Sequence, residues 1–394
     1  MIDIKFKTML QLKFKTNSIV IAMLICTSVF ITDAIGQITI AKWSGNKEAA
    51  LSIGSDDGMI RSIKSSWTLK NPDVPYDGYY KLGQDHHINI TFFIDGRQID
   101  DTTYAPFSSY IPITQPAASS GWWDDWNFMH NAGHEIASHT YSHANFKTGE
   151  IPSGSHVILE IVQNNTQIAR HIGEAPVSFN MPFTAAHSSV WPIVRDYYPI
   201  VANDVWKQNG RHFDINRNTK QGEMEAMLRD VMKSGSWMTA TGHGIRTELG
   251  HLEESSSGFI ANGKRWDGYS PVDYNVLDDF FRFARSKEDS LFIGTFKDVG
   301  RYKMEYDSST VSVISETTSE LIINVVHNLN PSHIFIYPLT LKIPAYQYNI
   351  DYAVQGGVYL PVKFDRAYSY IDVIPNGGKT FIALKKNKQL QKFN

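Results

Sequence analysis

The sequence has almost no cysteine, and this absence limits the chemistry open to it. Cys26 is the single cysteine among 394 residues, and it lies in the apolar N-terminal segment. If that segment is removed, the chain can form neither a disulfide nor a thiolate metal site. Any metal must then be held by histidine and carboxylate ligands.

The chain also lacks an excess of charge of one sign. Charged residues make up 20% of it, the net charge is −3, and no basic stripe runs along it. Removal of residues 1–36 would take away four lysines and two aspartates, so the net charge of −3 would become −5. Nucleic-acid-binding proteins concentrate Lys and Arg on one face, so we do not expect nucleic acid as a partner.

A long hydrophobic run is missing as well. The uncharged apolar run at residues 18–31 covers about 14 residues, whereas a membrane-spanning helix needs roughly 20. Four lysines precede this run and Ala34, Ile35 and Gly36 form a small-x-small cleavage signal after it, so we predict a signal peptide over residues 1–36. A secreted or periplasmic protein is expected, without a membrane span in the mature chain. A retained signal anchor is the alternative, and a lipid anchor at Cys26 fits less well because the residues before it are not small.

Short apolar segments alternate with amphipathic ones between residues 48 and 297. The predicted strands cover residues 49–54, 88–94, 134–138, 177–179, 199–202, 237–241 and 291–295. Helices are predicted between them where apolar residues recur at spacings of three and four. This alternation indicates a parallel sheet covered by helices, and seven repeats indicate a closed or nearly closed barrel. Chemistry in such barrels gathers at the C-terminal ends of the strands.

The pattern changes after about residue 306. Strands without helical periodicity are predicted at residues 310–314, 321–326, 334–342, 358–364, 368–374 and 380–384. Pro375, Asn376, Gly377 and Gly378 form a strong turn signal between the last two strands. We therefore predict a signal peptide at 1–36, a catalytic domain at 37–305 and a small all-β sandwich at 306–394.

Two histidines four residues apart follow the third predicted strand. On the helical turn predicted there, His139 and His143 could both reach one metal ion. The glutamate that follows the first histidine in zinc proteases is replaced by Thr140, so a general base must come from elsewhere. His134 is a competing ligand candidate, although a structural role at the strand start explains it more simply.

Two further motifs end predicted strands. The adjacent carboxylates of Asp56 and Asp57 would repel each other if they were buried, unless a metal neutralised one of them. A solvated turn that caps the next helix is the alternative interpretation. His243 lies between two glycines and could act as an acid, or it could simply be a loop histidine.

In order and spacing, these motifs resemble those of the polysaccharide deacetylase family, the carbohydrate esterases with the NodB-type fold. The resemblance spans about residues 48–300. The motifs that carry it are Ser55-Asp56-Asp57-Gly58, Thr91-Phe92-Phe93, His139-Thr140-Tyr141-Ser142-His143, Phe179-Asn180-Met181-Pro182-Phe183 and Thr241-Gly242-His243. It implies an α/β fold, namely a NodB-type distorted (β/α)7 barrel followed here by the small all-β sandwich.

The resemblance also implies a set of roles. Asp57, His139 and His143 would hold a divalent metal, usually zinc in this family. Asp56 would be the base that takes a proton from the metal-bound water. His243 would be the acid that protonates the leaving group.

Three further assignments follow from the resemblance less directly. The backbone N–H of Phe183 would help to hold the oxyanion, and Asp204 would orient His243. Asn180 stands where the family has an arginine that pairs with the base. Trp206 and the tryptophans at 122, 123 and 126 could line a sugar cleft, but packing is the favoured role for those three.

We therefore expect a secreted, metal-dependent hydrolase that removes N- or O-acetyl groups from an acetylated glycan. Two alternatives stay open. One is a hydrolase of a non-sugar amide with the same fold, and the other is a catalytically impaired carbohydrate-binding protein.

Overall fold

The fold is described from a computed structural model of the chain. It describes residues 37–58, 78–100, 123–147, 151–208, 210–246, 254–255, 258–259 and 270–385. The predicted signal peptide with Cys26, most of the Pro- and Ser-rich segment at 98–120, and Trp122 lie outside these ranges.

A parallel sheet of eight strands forms the frame of the larger part of the molecule. Its strands are β2 (Ala49–Ser55), β3 (Thr91–Ile94), β4 (Glu135–Ser138), β5 (Ser178–Phe179), β6 (Ile200–Val201), β7 (Gly210–Ile215), β8 (Trp237–Gly242) and β13 (Leu291–Ile293). The order is β6-β5-β4-β3-β2-β8-β7, and β13 pairs with the first half of β2. Among the described residues no ladder joins β6 to β7, so the barrel is open there.

Helices connect these strands, as the alternation in the sequence predicts. They are α1 (Tyr79–His86), α2 (Gly96–Asp100), α3 (Trp123–Asn131), α4 (Gly154–Ile172), α5 (Val190–Tyr197), α6 (Ala202–Gln208), α7 (Glu223–Ser234), α8 (Tyr274–Arg285) and α9 (Phe296–Ser308). Helix α8 shows how they pack, since it buries Leu277, Phe280, Phe281 and Ala284 against the sheet at spacings of three and four. In the described ranges, none of the helices combines the length and apolar character that a membrane span requires.

Two short two-residue ladders complete the larger part. Strand β9 (Ile245–Arg246) pairs in parallel with β12 (Val272–Asp273), and β10 (Glu254–Ser255) pairs antiparallel with β11 (Gly258–Phe259). The first of these ladders follows directly on β8 and therefore lies at the C-terminal edge of the large sheet. It fixes the chain just after His243.

The C-terminal region contains two antiparallel sheets, as predicted for a sandwich. The five-stranded sheet has the order β14 (Thr310–Glu316), β15 (Glu320–Val326), β21 (Thr380–Leu384), β17 (Ile350–Gln355) and β18 (Val358–Leu360). The four-stranded sheet has the order β1 (Thr39–Ile40), β16 (Leu339–Pro344), β20 (Tyr368–Val373) and β19 (Lys363–Phe364). Alternate residues of β15, such as Leu321, Ile323 and Val325, are buried, which is the pattern of a strand with one face in a core.

The chain divides into two compact units. One comprises Lys42–Asp307 with Leu329–Tyr337, and the other comprises the described residues up to Ala41, Ser308–Asn328 and the described residues from Pro338 onward. The second unit takes its first strand from the start of the described chain, because Thr39 and Ile40 pair with Lys342 and Leu341 of β16. The domain boundary at 305/306 stays a prediction.

Candidate metal centre and cleft

The two adjacent aspartates leave β2 through a tight turn. The backbone N–H of Asp56 donates to the carbonyl of Gly242 at 2.9 Å, which continues the pairing of β2 with β8. Asp57 and Gly58 then adopt left-handed φ values of 67° and 57°. A non-glycine residue at positive φ is strained, and such strain concentrates at functional sites. Both aspartates are buried, with 4% and 3% of their surface exposed.

The two histidines follow β4 in a loop, not in a helix. The prediction of a helical turn is wrong here, because Thr140 and His143 have left-handed φ values of 66° and 53°. The loop nevertheless brings the imidazole centroids of His139 and His143 to 5.1 Å from each other. The two imidazoles are therefore close together, as expected, but a strained loop and not a helical turn brings them there.

Three predicted ligands converge on one point. Oδ1 of Asp57 lies 3.2 Å from Nε2 of His139 and 3.0 Å from Nε2 of His143. All three residues are buried, and their ligand atoms lie within 4.8 Å of one another. Two imidazole nitrogens and one carboxylate oxygen are a common ligand set for zinc and similar divalent ions.

The hydrogen bond on the far side of one imidazole tests whether this set fits a cation. Nδ1 of His139 lies 2.8 Å from the backbone carbonyl oxygen of Asn180. Because a carbonyl can only accept, Nδ1 must carry the hydrogen, and Nε2 of the neutral ring then presents a lone pair to Oδ1 of Asp57. Two buried acceptors 3.2 Å apart require a cation between them, either a proton or a metal ion. The three residues therefore fit a metal.

The charges around Asp57 are also consistent with a bound cation. Burial alone would raise the pKa of Asp57, but the nearby His143 and His243 and the close contacts of its carboxylate with His139 and His143 hold that pKa well below its usual range. Burial acts in the opposite direction on His143, whose pKa is nevertheless raised by the Asp57 carboxylate. The carboxylate is thus kept ionised, which is the state that can bind a cation.

The predicted base is held by an amide in place of a guanidinium. Nδ2 of Asn180 donates to Oδ1 of Asp56 at 2.9 Å, and Asn180 is fully buried. Burial raises the pKa of Asp56, although His139, His243 and the amide hydrogen bond act to lower it. The residue that departs from the family pattern therefore still orients the carboxylate, but it supplies no charge.

His243 reaches the same centre from β8. Its Nε2 lies 3.7 Å from Oδ2 of Asp57. The glycine before it is needed for close packing, because a Cβ at Gly242 would lie 2.5 Å from the Tyr79 hydroxyl and 2.8 Å from Cβ of Ile215. No larger residue fits there unless the backbone that carries His243 moves.

A cleft of about 960 Å³ opens above these groups. Phe183 forms part of its wall, and the ring, 46% exposed, lies edge-on to His143 with centroids 4.7 Å apart. Farther out, the wall includes Lys147, Trp206 and Lys207. Neither of these two lysines has an acidic partner within the described part of the chain.

Asp204 does not contact His243 as predicted. Its two carboxylate oxygens accept hydrogen bonds from Nε and Nη2 of Arg195, both at 2.7 Å. The carboxylate that sequence reasoning missed is Asp214, which ends β7 beside β8 and lines the cleft together with His243. Its signal was weak because β7 itself, rich in polar residues, was not predicted.

The remaining aromatic and histidine candidates divide as follows. Trp206 lines the cleft and stacks on His212 with ring centroids 3.8 Å apart. Trp126 is a fully buried core residue, and Trp123 stacks on His171 at 4.6 Å, so packing explains both. His134 is structural, as expected, since it is buried and its Nδ1 accepts from the Ile90 N–H at 3.0 Å.

The part of the chain that contains this site matches a known family. Residues 56–198 match the family model for polysaccharide deacetylase. This part of the chain is similar to the polysaccharide deacetylase family. The matched segment contains Asp56, Asp57, both histidines of the loop and Asn180, whereas His243 lies beyond it. No curated protein matches the sequence.

Several solved structures are similar to this chain at low sequence identity. A putative polysaccharide deacetylase from Mycobacterium smegmatis is 12% identical, with a TM-score of 0.40 over 68% of this chain and 94% of its own. Puue allantoinase is 13% identical, with a TM-score of 0.41 over 66% and 92%. The Xyl-CE4 domain of a multidomain xylanase from the hindgut metagenome of Trinervitermes trinervoides is 15% identical, with a TM-score of 0.30 over 49% and 73%.

Proposed function

We propose that this chain is a secreted, metal-dependent hydrolase that removes acetyl groups from a glycan. The observation that carries the proposal is the convergence of Asp57, His139 and His143 beside a second buried carboxylate, Asp56, at the base of an open cleft. The similarity of residues 56–198 to the polysaccharide deacetylase family supports the same reaction class.

A metal ion at these ligands and the side chains around it would have separate roles in the reaction. When bound, a divalent ion lowers the pKa of a water molecule and polarises the acetyl carbonyl group. Asp56 would act as the base toward the attacking water, and the amide of Asn180 holds its carboxylate in place.

The other cleft residues act on the far side of the scissile bond. His243, partly exposed in the cleft, donates a proton to the leaving nitrogen or oxygen. The backbone N–H of Phe183 stabilises the negative charge that develops on the carbonyl oxygen. Trp206 offers a ring on which a sugar can stack.

The metal in this proposal is zinc or another divalent ion that accepts two imidazoles and one carboxylate. Secretion rests on the predicted signal peptide, which would take the enzyme to an extracellular or periplasmic glycan. Either an N-acetyl or an O-acetyl group is compatible with the arrangement of base and acid.

Acetate release tests the proposal directly. The purified protein is incubated with acetylated xylan, chitooligosaccharides and peptidoglycan fragments, with and without added zinc. Asp56→Asn removes the base at nearly constant volume, and we expect a loss of at least about 100-fold in rate, as for a removed general base. Asp230→Asn is the matched control, because Asp230 pairs only with exposed cations on the surface.

The possible outcomes separate the candidate functions. Zinc-dependent acetate from one substrate, lost in Asp56→Asn and kept in Asp230→Asn, supports the deacetylase and identifies the acetyl linkage. Bound zinc without acetate from any glycan would overturn the deacetylase and favour a non-sugar amide substrate. Glycan binding without any turnover would favour the impaired, carbohydrate-binding alternative.

A further inference from the structure

Helix α4 carries two polar residues on the face that it buries in the domain. Glu160 and Asn164 are 6% and 0% exposed, and they lie four residues apart on the same side as Val157, Ile161 and Ile168. Buried polar groups on an otherwise apolar helix face are costly unless they are hydrogen-bonded. Their partners therefore show what these two residues stabilise.

Glu160 binds the histidine loop through both of its carboxylate oxygens. Oε2 accepts from the backbone N–H of Ser142 at 2.8 Å, and Oε1 accepts from the Ser142 hydroxyl at 2.7 Å. Ser142 directly precedes His143. A charged acceptor with two donors from one residue is a strong and directional restraint.

Asn164 binds the ends of two neighbouring strands. Its Nδ2 donates to the Ile94 carbonyl oxygen at 2.9 Å and lies 2.8 Å from the Ser138 hydroxyl, while its Oδ1 accepts from the Gly96 N–H at 2.8 Å. Ser138 directly precedes His139. The side chain thus fixes the exact residue from which the first histidine leaves β4.

The two contacts form a pattern. His139 and His143 each follow a serine, and each of these serines is held by one of two residues one turn apart on α4. The loop between the histidines contains two left-handed, non-glycine residues, Thr140 and His143. Such a conformation persists only where surrounding contacts over-determine it.

We propose that Glu160 and Asn164 are positioning residues that hold His139 and His143 in the geometry that binds the metal. This inference rests on the proposed function, since it requires a metal at these histidines. Neither residue touches the reacting atoms. Their effect is exerted on the metal affinity, through the backbone and hydroxyl groups of Ser138 and Ser142.

Zinc affinity, measured by competition with a chromophoric chelator, tests the inference on the purified protein. Glu160→Gln keeps the shape of the side chain but removes its charge and one of its two acceptors. We expect zinc to bind about 10- to 100-fold more weakly, the usual effect of removing an outer partner of a metal ligand. Asn164→Asp, which places an oxygen against the Ile94 carbonyl, should weaken binding to a similar degree.

Matched controls separate positioning from general damage. Glu135→Gln also removes a buried carboxylate, but Glu135 begins β4 at the opposite end from His139 and binds Thr91 and the Lys297 N–H. Asn131→Asp makes the same change at an exposed residue of α3, whose amide donates to Asn127 Oδ1 at 3.2 Å. Both controls should change zinc affinity less than about threefold, even where thermal stability falls.

The outcomes distinguish a failure of the proposed function from a failure of the positioning role of Glu160 and Asn164. If the unaltered protein binds no zinc, both the proposed function and this inference fail. If the unaltered protein binds zinc and Glu160→Gln binds it equally well, or no more weakly than Glu135→Gln, only the inference is overturned. Should Glu160→Gln not fold, Ser142→Ala removes one hydroxyl from the same contact, and unchanged affinity in that variant would overturn the role of Glu160.

Discussion

The amide that replaces the family arginine offers the sharpest prediction. Asn180→Asp changes one atom, so that an oxygen stands where Nδ2 now donates to Asp56 Oδ1 at 2.9 Å. The backbone carbonyl that receives the His139 N–H is kept. The substitution therefore removes the donor to the base without removing the contact that orients a metal ligand.

The distance between the side chains of residues 180 and 56 determines how strongly the substitution should lower the rate. Two carboxylates 2.9 Å apart would repel by about 6 kcal/mol at an effective dielectric constant of 20. Protonation of one carboxylate at neutral pH costs only about 4 kcal/mol, so the pair keeps one proton and the base is partly neutralised. The hydrogen bond from the amide to the ionised base is thus replaced by a shared proton. A hydrogen bond to a charged group is worth about 1.5–3 kcal/mol, which corresponds to a fall of roughly 10- to 150-fold in kcat/KM.

The assay is acetate release at saturating zinc, with zinc binding measured in parallel. We expect kcat/KM to fall within that range while zinc still binds. Asn131→Asp, a change at an exposed residue whose amide donates to Asn127 Oδ1, is the control and should leave both values unchanged. A rate for Asn180→Asp within about twofold of the unaltered protein would refute the assignment of Asp56 as the base held by Asn180.

Two further predictions concern groups away from the metal ligands. Burial raises the pKa of Glu305 to about 7 despite a hydrogen bond from the Tyr337 N–H, so the folded state binds a proton that the unfolded state has lost, and the free energy of unfolding should fall as pH rises from about 4.5 to 7. Glu305→Gln should reduce this pH-dependent loss by up to about 3 kcal/mol, measured by urea unfolding at several pH values. An equal pH dependence in both proteins would contradict the burial argument. Asp204→Asn breaks a partly exposed pair with Arg195 worth about 1 kcal/mol or less, so acetate release should stay within about twofold. A loss comparable to that of Asp56→Asn would instead return Asp204 to the role of orienting His243.

Much of the barrel could be predicted because its strands are short, apolar and separated by amphipathic helices. The strand ending in Asp56 and Asp57 and the strand before His139 are of this kind. Strand β7 (Gly210–Ile215) was missed, because Arg211, His212 and Asp214 interrupt its apolar character and leave no periodic signal. Asp214 was therefore not recognised as a cleft residue, and the role of orienting His243 was assigned to Asp204.

The metal-ligand residues could be predicted from the sequence, but the residues and contacts that hold them in place could not. Adjacent carboxylates and paired histidines are visible in a sequence because their spacing is local. The contact of Asn180 with Asp56 joins residues 124 positions apart, and only the fold brings them together. The positive φ of Thr140 and His143 likewise follows from tertiary restraint, so local spacing favoured a helical turn that the chain does not form.

The pairing of Thr39–Ile40 with β16 means that one sheet joins the earliest and the latest parts of the described chain. During synthesis β1 emerges from the ribosome about 300 residues before its partner strand, and in that interval its backbone has no ladder to complete. Proteolysis or truncation that removed residues 39–40 would leave the N–H and C=O groups along one side of β16 without their strand partner. The four-stranded sheet would then present an open edge on which a second molecule could pair, so loss of only two residues would create a site of aggregation.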